Sequence, residues 1–318
     1  MRPAPDVHLS RRRDLVDPPD YRRLRRSIRD RRWMHLTAGV YVNAADWFAL
    51  KPIERHRLLV EEVLARREQP AVVSHFAAAA VWGIDVLGQW PDVVDVTIAR
   101  ASGGRSGGAV RRHALGLDGV ARVPFGRHEV TTPAQTALDL ARALPHVRAV
   151  TAIDQAIWRE RPGGPLTTNG EIPALLDADL PRRGDARARR AIAASEPLAA
   201  NARETQLRLL VVALGFPRPR LQERRVLRSG RLVYGDLYFP EQDHWLELDG
   251  HGKYLSPEFG AGREPAQIVL DEKNRENEIR REVRGFSRPE PDELDDPRRV
   301  YDILTADGLR GSKPRPSR

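Results

Sequence analysis

Apolar positions recur along this chain with two different periods, and the changes of period mark out its elements. Tyr21 to Arg32 is a basic run in which Leu24 and Ile28 lie four apart, the spacing of a helix. Trp33 to Val42 (WMHLTAGVYV) alternates instead and reads as two short strands turning at Ala38-Gly39. A helix followed by a hairpin is the closing part of a winged-helix domain. Pro52 to Arg67 returns to the helical period, with Ile53, Leu58, Leu59, Val63 and Leu64 on one face. Ser74 is placed to cap a helix that runs through Trp82 and ends at Gly83.

Val93 to Ala99 (VVDVTIA) reads as a strand. The glycine-rich Gly103 to Gly108 then leads into Ala109 to His113. No GK[ST] follows those glycines, so they form a plain connection rather than a phosphate loop. Thr131-Thr132-Pro133 starts a helix with proline in its first turn, and Leu138, Ala141, Ala149, Ile153 and Ile157 supply a packed face. Arg161 to Pro165 (RPGGP) is a breaker cluster, followed by a small helical piece within Leu166 to Leu180 and an arginine-rich connector, Arg182 to Arg190.

Three elements after residue 200 carry chemistry. A helix from Ala202 to Leu214 has Leu207, Leu210, Val211 and Leu214 as its apolar stripe, and Glu204 falls on the same stripe. A carboxylate there needs a partner or serves the helix dipole in the first turn. Leu232 to Phe239 and His244 to Asp249 form a hairpin around a Pro240–Asp243 turn. Alternation puts Tyr234, Asp236 and Tyr238 on one face and Leu237 and Phe239 on the other. In the return strand Trp245, Glu247 and Asp249 share a face. A four-residue turn sets Asp236 opposite Glu247, where like charges repel unless a divalent cation lies between them; Mg²⁺ or Mn²⁺ suits such oxygen donors. The alternative is a solvated hairpin with an acidic face. Val269 to Arg284 is a helix dense in charge, in which Lys273, Arg275, Arg280 and Arg281 either meet phosphates or form ion pairs along the helix.

Composition changes the picture in three ways. The net charge of +9 is uneven: Met1 to His35 holds 11 Arg against 5 Asp, a local +6, whereas Asn201 to Asp296 holds 16 basic against 19 acidic residues, a local −3. A basic leading segment is the footprint of nucleic-acid contact or a solvated tail. The absence of cysteine removes disulfides and thiolate metal sites and fits a cytoplasmic protein. No apolar stretch reaches membrane-spanning length, and Met1 to Asp20 has no secretory character.

The segments GDLYFPEQDHWLELDGHGKY and DEKNRENEIRREVRGFSR resemble the PD-(D/E)xK nuclease superfamily, in the branch of the very-short-patch-repair endonucleases. The resemblance implies Mg²⁺-dependent phosphodiester hydrolysis, with Asp236 and Glu247 as metal ligands and Glu204 supporting them. Asp249 stands where the family has its lysine, and Lys253 on the next loop is the substitute. The final segment Glu282 to Arg288 (EVRGFSR) is more polar than a core strand of that fold. Tyr21 to Val42, SHFAAAAVWGI and TTPAQTALDLARAL resemble AbiEi-type antitoxins of type IV toxin–antitoxin systems, which implies DNA and a cognate toxin as partners.

The expected fold is α/β, α+β overall. A disordered basic tail (1–20) precedes a winged-helix-like region (21–70), an antitoxin-like region (71–160), a linker with short helices (161–198), a restriction-endonuclease-like mixed sheet (199–305) and a disordered end (306–318). One reading is a DNA endonuclease with Glu204, Asp236, Glu247, Asp249 and Lys253 in its site. DNA contacts would come from Arg22, Arg23, Arg25, Arg26, Arg29, Arg224, Arg225, Lys273 and Arg275. The other is a DNA-binding regulator that keeps the nuclease fold as a scaffold.

Overall fold

The computed structural model describes residues 1, 5–15, 17–99, 107–249 and 265–317. The chain is α+β and divides into two compact units, Met1–Pro197 and Leu198–Arg318.

In the first unit the hairpin strands Trp33–Thr37 and Val40–Asn43 form as their alternation predicts, with Gly39 at φ +67° in the turn. A third strand, Leu9–Arg11, adds antiparallel to Val40–Val42. This corrects the expectation of a disordered tail. Arg11 explains it: Nη2 and Nε donate to Glu62 at 2.6 and 3.0 Å, so a charge read as solvated is committed to a buried partner. The helix Pro18–Arg29 follows, with Pro18 and Pro19 in its first turn.

A five-stranded mixed sheet stands behind this hairpin in the chain. Its order is Val110–His113, Val94–Thr97, Val72–Val73, His128–Thr131, Arg122–Phe125. Val94–Thr97 runs parallel to Val110–His113, and Val72–Val73 parallel to His128–Thr131. Val73, Val94, Val96 and Val130 pack against Leu59, Val60 and Val63 of the helix Pro52–Leu64 and against Ala77, Ala78 and Val81 of the helix His75–Trp82. Such side chains contribute roughly 1.5–3 kcal/mol each for the larger aliphatics. Gly83 ends the second helix at φ +74°, as expected, but Ser74 does not cap its start with its side chain; that hydroxyl bonds the His75 ring instead. Helices Pro133–Ala143, His146–Ile157, Glu171–Ala178 and Asp185–Ala193 complete the unit. The last covers most of the predicted arginine-rich connector, because Ala188 and Ala191, three apart, bury against the preceding helices while the arginines point outward.

The second unit opens with the helix Ala202–Ala213, capped by Asn201, whose Oδ1 accepts from the amides of Arg203 and Glu204. Its four-stranded sheet has the order Gly285–Ser287, His244–Leu246, Leu232–Phe239, Arg220–Val226. Adjacent strands are antiparallel except Gly285–Ser287, which joins His244–Leu246 in parallel. The segment that reads as too polar and glycine-broken is therefore a strand. Phe286 and Ser287 are buried in it, and Gly285 leaves room for the His244 ring. Leu237, Phe239 and Leu246 face Leu207, Val211 and Leu304; Tyr238 and Trp245 face Ile279 and Phe286. The helix Pro265–Arg280 carries Ile279, and Pro297–Ala306 carries Leu304.

Two further expectations need correction in this unit. The alternation along Leu232–Phe239 changes phase near Asp236: Val233 joins the Tyr238–Trp245 cluster and Tyr234 is exposed. The neighbouring strand pairs on either side of this point, at Gly235↔Glu223 and Leu237↔Leu221, and Gln222 between them has φ +48°, which turns the strand locally. The segment after Ala306 is also placed rather than disordered, with Leu309 buried and Arg315 paired to Asp302 at 2.6 Å.

Candidate nucleic-acid interface and acidic cluster

On the helix Pro18–Arg29, Tyr21, Leu24 and Ile28 turn one way and Arg22, Arg25, Arg26 and Arg29 the other. The four arginines are at i, i+3, i+4 and i+7, the spacing of a single helix face, and all are exposed. The stripe is about 10 Å long at 1.5 Å per residue. Among the described residues Arg22, Arg25 and Arg26 have no ion pair, while Arg29 lies 3.6 Å from Asp30. Arg23, on the flank, is 3.8 Å from Asp20 and 82% exposed. Four guanidiniums on one face, three of them without an ion pair among the described residues, repel each other until a polyanion supplies counter-charge.

The acidic residues of the second unit are arranged differently from a bare carboxylate pair. The hairpin register Leu237↔Leu246 and Tyr238↔Trp245, continued by one pair, sets Asp236 opposite Glu247, as the four-residue turn predicts. Their side chains then serve separate partners. Asp236 Oδ2 accepts from the Leu248 amide at 2.9 Å. Glu247 is buried; both its oxygens accept from Arg275, at 2.9 and 2.5 Å, and Oε1 also accepts from the Trp245 indole at 2.8 Å. Glu204 is buried on its stripe and is satisfied at the helix start, accepting from the Ala200 amide at 2.7 Å and from Asn201 Nδ2 at 2.6 Å.

Around Glu247 lies a compact network that the charge pattern of the helix does not reveal by itself. Arg275 also binds Glu272, at 2.7 Å. Arg288 reaches Glu276 at 2.8 Å, Glu272 at 3.1 Å and Asp249 at 3.5 Å. Hydrogen bonds from Arg275 hold the Glu272 carboxyl below the usual glutamate range. Arg288 is the member that sequence reasoning left without a role. The only signal for it is its position two residues past the buried Phe286.

The remaining candidates separate by exposure. Arg224 and Lys273 are exposed. Arg225 stacks over Tyr238, 4.8 Å from the ring centroid, and over Trp245 at 5.4 Å, and it lies 3.3 Å from Asp243. Arg225 and Arg275 are thus occupied within the unit. Lys253 lies outside the described residues. Among the described residues no group of three or more His, Asp or Glu side chains could hold a metal ion. Nor, among them, is any helix long and apolar enough to cross a membrane.

No family model matches the chain. Two uncharacterized proteins of Mycobacterium tuberculosis, from two strains, are each 30% identical to it over 141 residues, 44% of this chain. The chain spans about half the length of these curated relatives, 47% of each.

Proposed function

We propose that this chain is a cytoplasmic DNA-binding protein that grips the phosphate backbone through the arginine stripe of its first unit. The supporting observation is that Arg22, Arg25, Arg26 and Arg29 share one exposed helix face beside a three-stranded sheet, while most other arginines of the first unit's core and of the acidic network have carboxylate or carbonyl partners. Exposed guanidiniums bind phosphate in a fork and displace condensed counterions, which makes affinity steeply salt-dependent. Fluorescence anisotropy with a labelled duplex, measured over a salt series, tests this. Four phosphate contacts predict that replacing all four arginines by alanine makes the log–log salt slope shallower by about 3 to 4. A duplex affinity and slope unchanged in that variant would exclude this face as the interface. The reading belongs with the regulator type of protein that the antitoxin resemblance implies.

A second reading, phosphodiester hydrolysis by the second unit, is favoured by one observation: the hairpin register sets Asp236 across from Glu247 at the end of the paired strands of a mixed sheet. The described donor set does not suit a divalent ion, since both oxygens of Glu247 are taken by Arg275. No step is assigned to a metal on that basis. Plasmid and mismatched duplex incubated with Mg²⁺ or Mn²⁺, with the wild type beside Asp236→Ala and Glu247→Ala, separates the readings. Cutting that both substitutions abolish makes the second unit an endonuclease. Salt-sensitive binding without cutting leaves the DNA-binding role alone.

A further inference from the structure

The most elaborate polar construction in the first unit is remote in sequence from the arginine stripe, and the proposed DNA contact does not use it. It begins at His75, the first residue of the helix His75–Trp82. His75 is buried yet adopts φ +48°, a left-handed conformation that non-glycine residues take only when their surroundings hold them there. Its ring is fixed from two sides. Nδ1 lies 3.0 Å from Ser74 Oγ, and the imidazole stacks on that of His113 with centroids 3.8 Å apart and planes 12° from parallel. His113 is positioned in turn by Asp95, whose Oδ1 is 2.7 Å from His113 Nε2. Asp95 is fully buried on the strand Val94–Thr97 and is held in a two-bond contact by Arg111, at 2.5 and 3.0 Å.

Such an arrangement is costly for a purely structural purpose. Two imidazoles in face contact cannot both carry charge, and burial keeps His75 neutral, with its pKa lowered to about 3. An apolar pair of the same size would fill the space without needing an aspartate and an arginine behind it. The two rings form part of the wall of a cavity of about 600 Å³, within the usual range for small-molecule sites. The wall also includes Asp139, Arg142, Arg183 and Arg187. Arg142 is nine-tenths buried; it pairs with Asp185 at 2.8 Å and Asp179 at 3.1 Å, and its Nη2 is buried without a hydrogen-bond acceptor. Arg187 donates to the carbonyls of Arg142 and Ala143 at the end of their helix, and Arg183 is exposed at the rim. Gly184, at φ +100°, lets this rim lie against the Arg142 backbone, where a side chain would collide.

We propose that this cavity binds a small phosphate-bearing ligand of about nucleotide size, with the phosphate held by Arg183, Arg187 and the Nε2–H of His75. Guanidinium forks and an imidazole N–H both match phosphate oxygens, and among the described residues neither Arg183 nor Arg187 is paired with a carboxylate. The Asp95–Arg111 pair acts behind His113 as a positioning device, fixing the ring on which His75 stacks.

The full-length protein, titrated calorimetrically with inorganic phosphate and separately with AMP and ATP, tests this. The probes are repeated on Arg183→Gln and on His75→Asn, which keeps a residue tolerant of the left-handed backbone. They are also repeated on the variant lacking Arg22, Arg25, Arg26 and Arg29. Saturable one-site binding that weakens by about tenfold in each cavity variant, and persists in the stripe variant, is the expected result. Tighter binding of the nucleotides than of phosphate would show that the cavity also holds the base and sugar; equal binding would restrict it to the phosphate. Duplex binding retained by both cavity variants shows that they are folded. The proposal is overturned if no probe saturates, if binding survives in both cavity variants, or if it disappears with the stripe alone, which would place the phosphate on the DNA-binding face.

Discussion

Glu247 and Arg275 meet in a two-bond geometry, Oε1 to Nη1 at 2.9 Å and Oε2 to Nη2 at 2.5 Å, tying the hairpin to the helix Pro265–Arg280. Glu247 is 5% exposed, so the pair is desolvated on the carboxylate side. Removing one member of a buried pair strands the other, at a cost of about 3–5 kcal/mol, whereas apolar replacement of both is close to neutral. Arg275→Met is therefore expected to lower stability by about 3 kcal/mol, and Glu247→Leu combined with Arg275→Met to lose less than Arg275→Met alone. Urea midpoints at constant m-value read both. Losses that simply add would show that the two side chains are not coupled.

Gly235 makes a separate, steric prediction. A Cβ at this position would lie 2.5 Å from Cζ2 of Trp245, which is fully buried and has its indole N–H on Glu247. The indole is held on several sides and cannot retreat cheaply. Gly235→Ala should cost about 1–3 kcal/mol by overpacking and shift the tryptophan emission on folding. A variant as stable as the parent would mean that the strand relaxes freely there.

Arg22 and Arg225 were equivalent candidates by composition and differ in place. Arg22 is exposed on the stripe; Arg225 is sandwiched near Tyr238 and Trp245. Arg22→Ala should reduce the salt slope of duplex binding by about 1 with no loss of stability. Arg225→Ala should leave the slope unchanged and destabilise the second unit by about 1–2 kcal/mol, through lost packing and cation–π attraction. The opposite pattern would move the interface to the second unit.

The elements most readily legible in the sequence were those in which period and punctuation agree. The hairpin Trp33–Asn43 and the Pro240–Asp243 turn are examples, and the second carried the Asp236–Glu247 register with it. Short strands such as Val72–Val73 and Gly285–Ser287 were illegible because two or three residues cannot show a period; pairing with distant strands makes them. The acidic hairpin face was legible as a juxtaposition but not as a state. Whether Glu247 meets a cation or a guanidinium depends on Arg275, 28 positions away, whose neighbours Glu272 and Glu276 offer it an equally good life as a helix ion pair. In the sequence His75 is only the first residue of a helix; its stacking on His113 depends on the sheet bringing residues 38 positions apart together.

Buried titrating groups of the first unit make its stability depend on pH in a way that one substitution can expose. Burial raises the Asp139 carboxyl from 3.8 to about 6, while Gln135 donates to it at 2.8 Å. Because the folded pKa is raised, the folded state binds the proton more tightly; this contribution is fully present below about 3.8 and is lost as pH rises through about 6. Burial acts in the opposite sense on the histidines, lowering His56 from 6.5 to about 4 and His75 to about 3. Their contribution is present above 6.5 and is lost as pH falls through those lowered values. Between pH 6 and pH 4 the two histidines therefore weaken the fold as acid is added, and Asp139 offsets part of the loss by about 3 kcal/mol at most. Asp139→Asn removes the offset while keeping the amide able to bond Gln135. Its stability should fall more steeply than the wild type's across that window, and His56→Gln should fall less steeply. Urea unfolding at half-unit pH steps compares the three slopes. Parallel curves for the wild type and Asp139→Asn would show that the Asp139 proton is not bound more tightly in the folded chain.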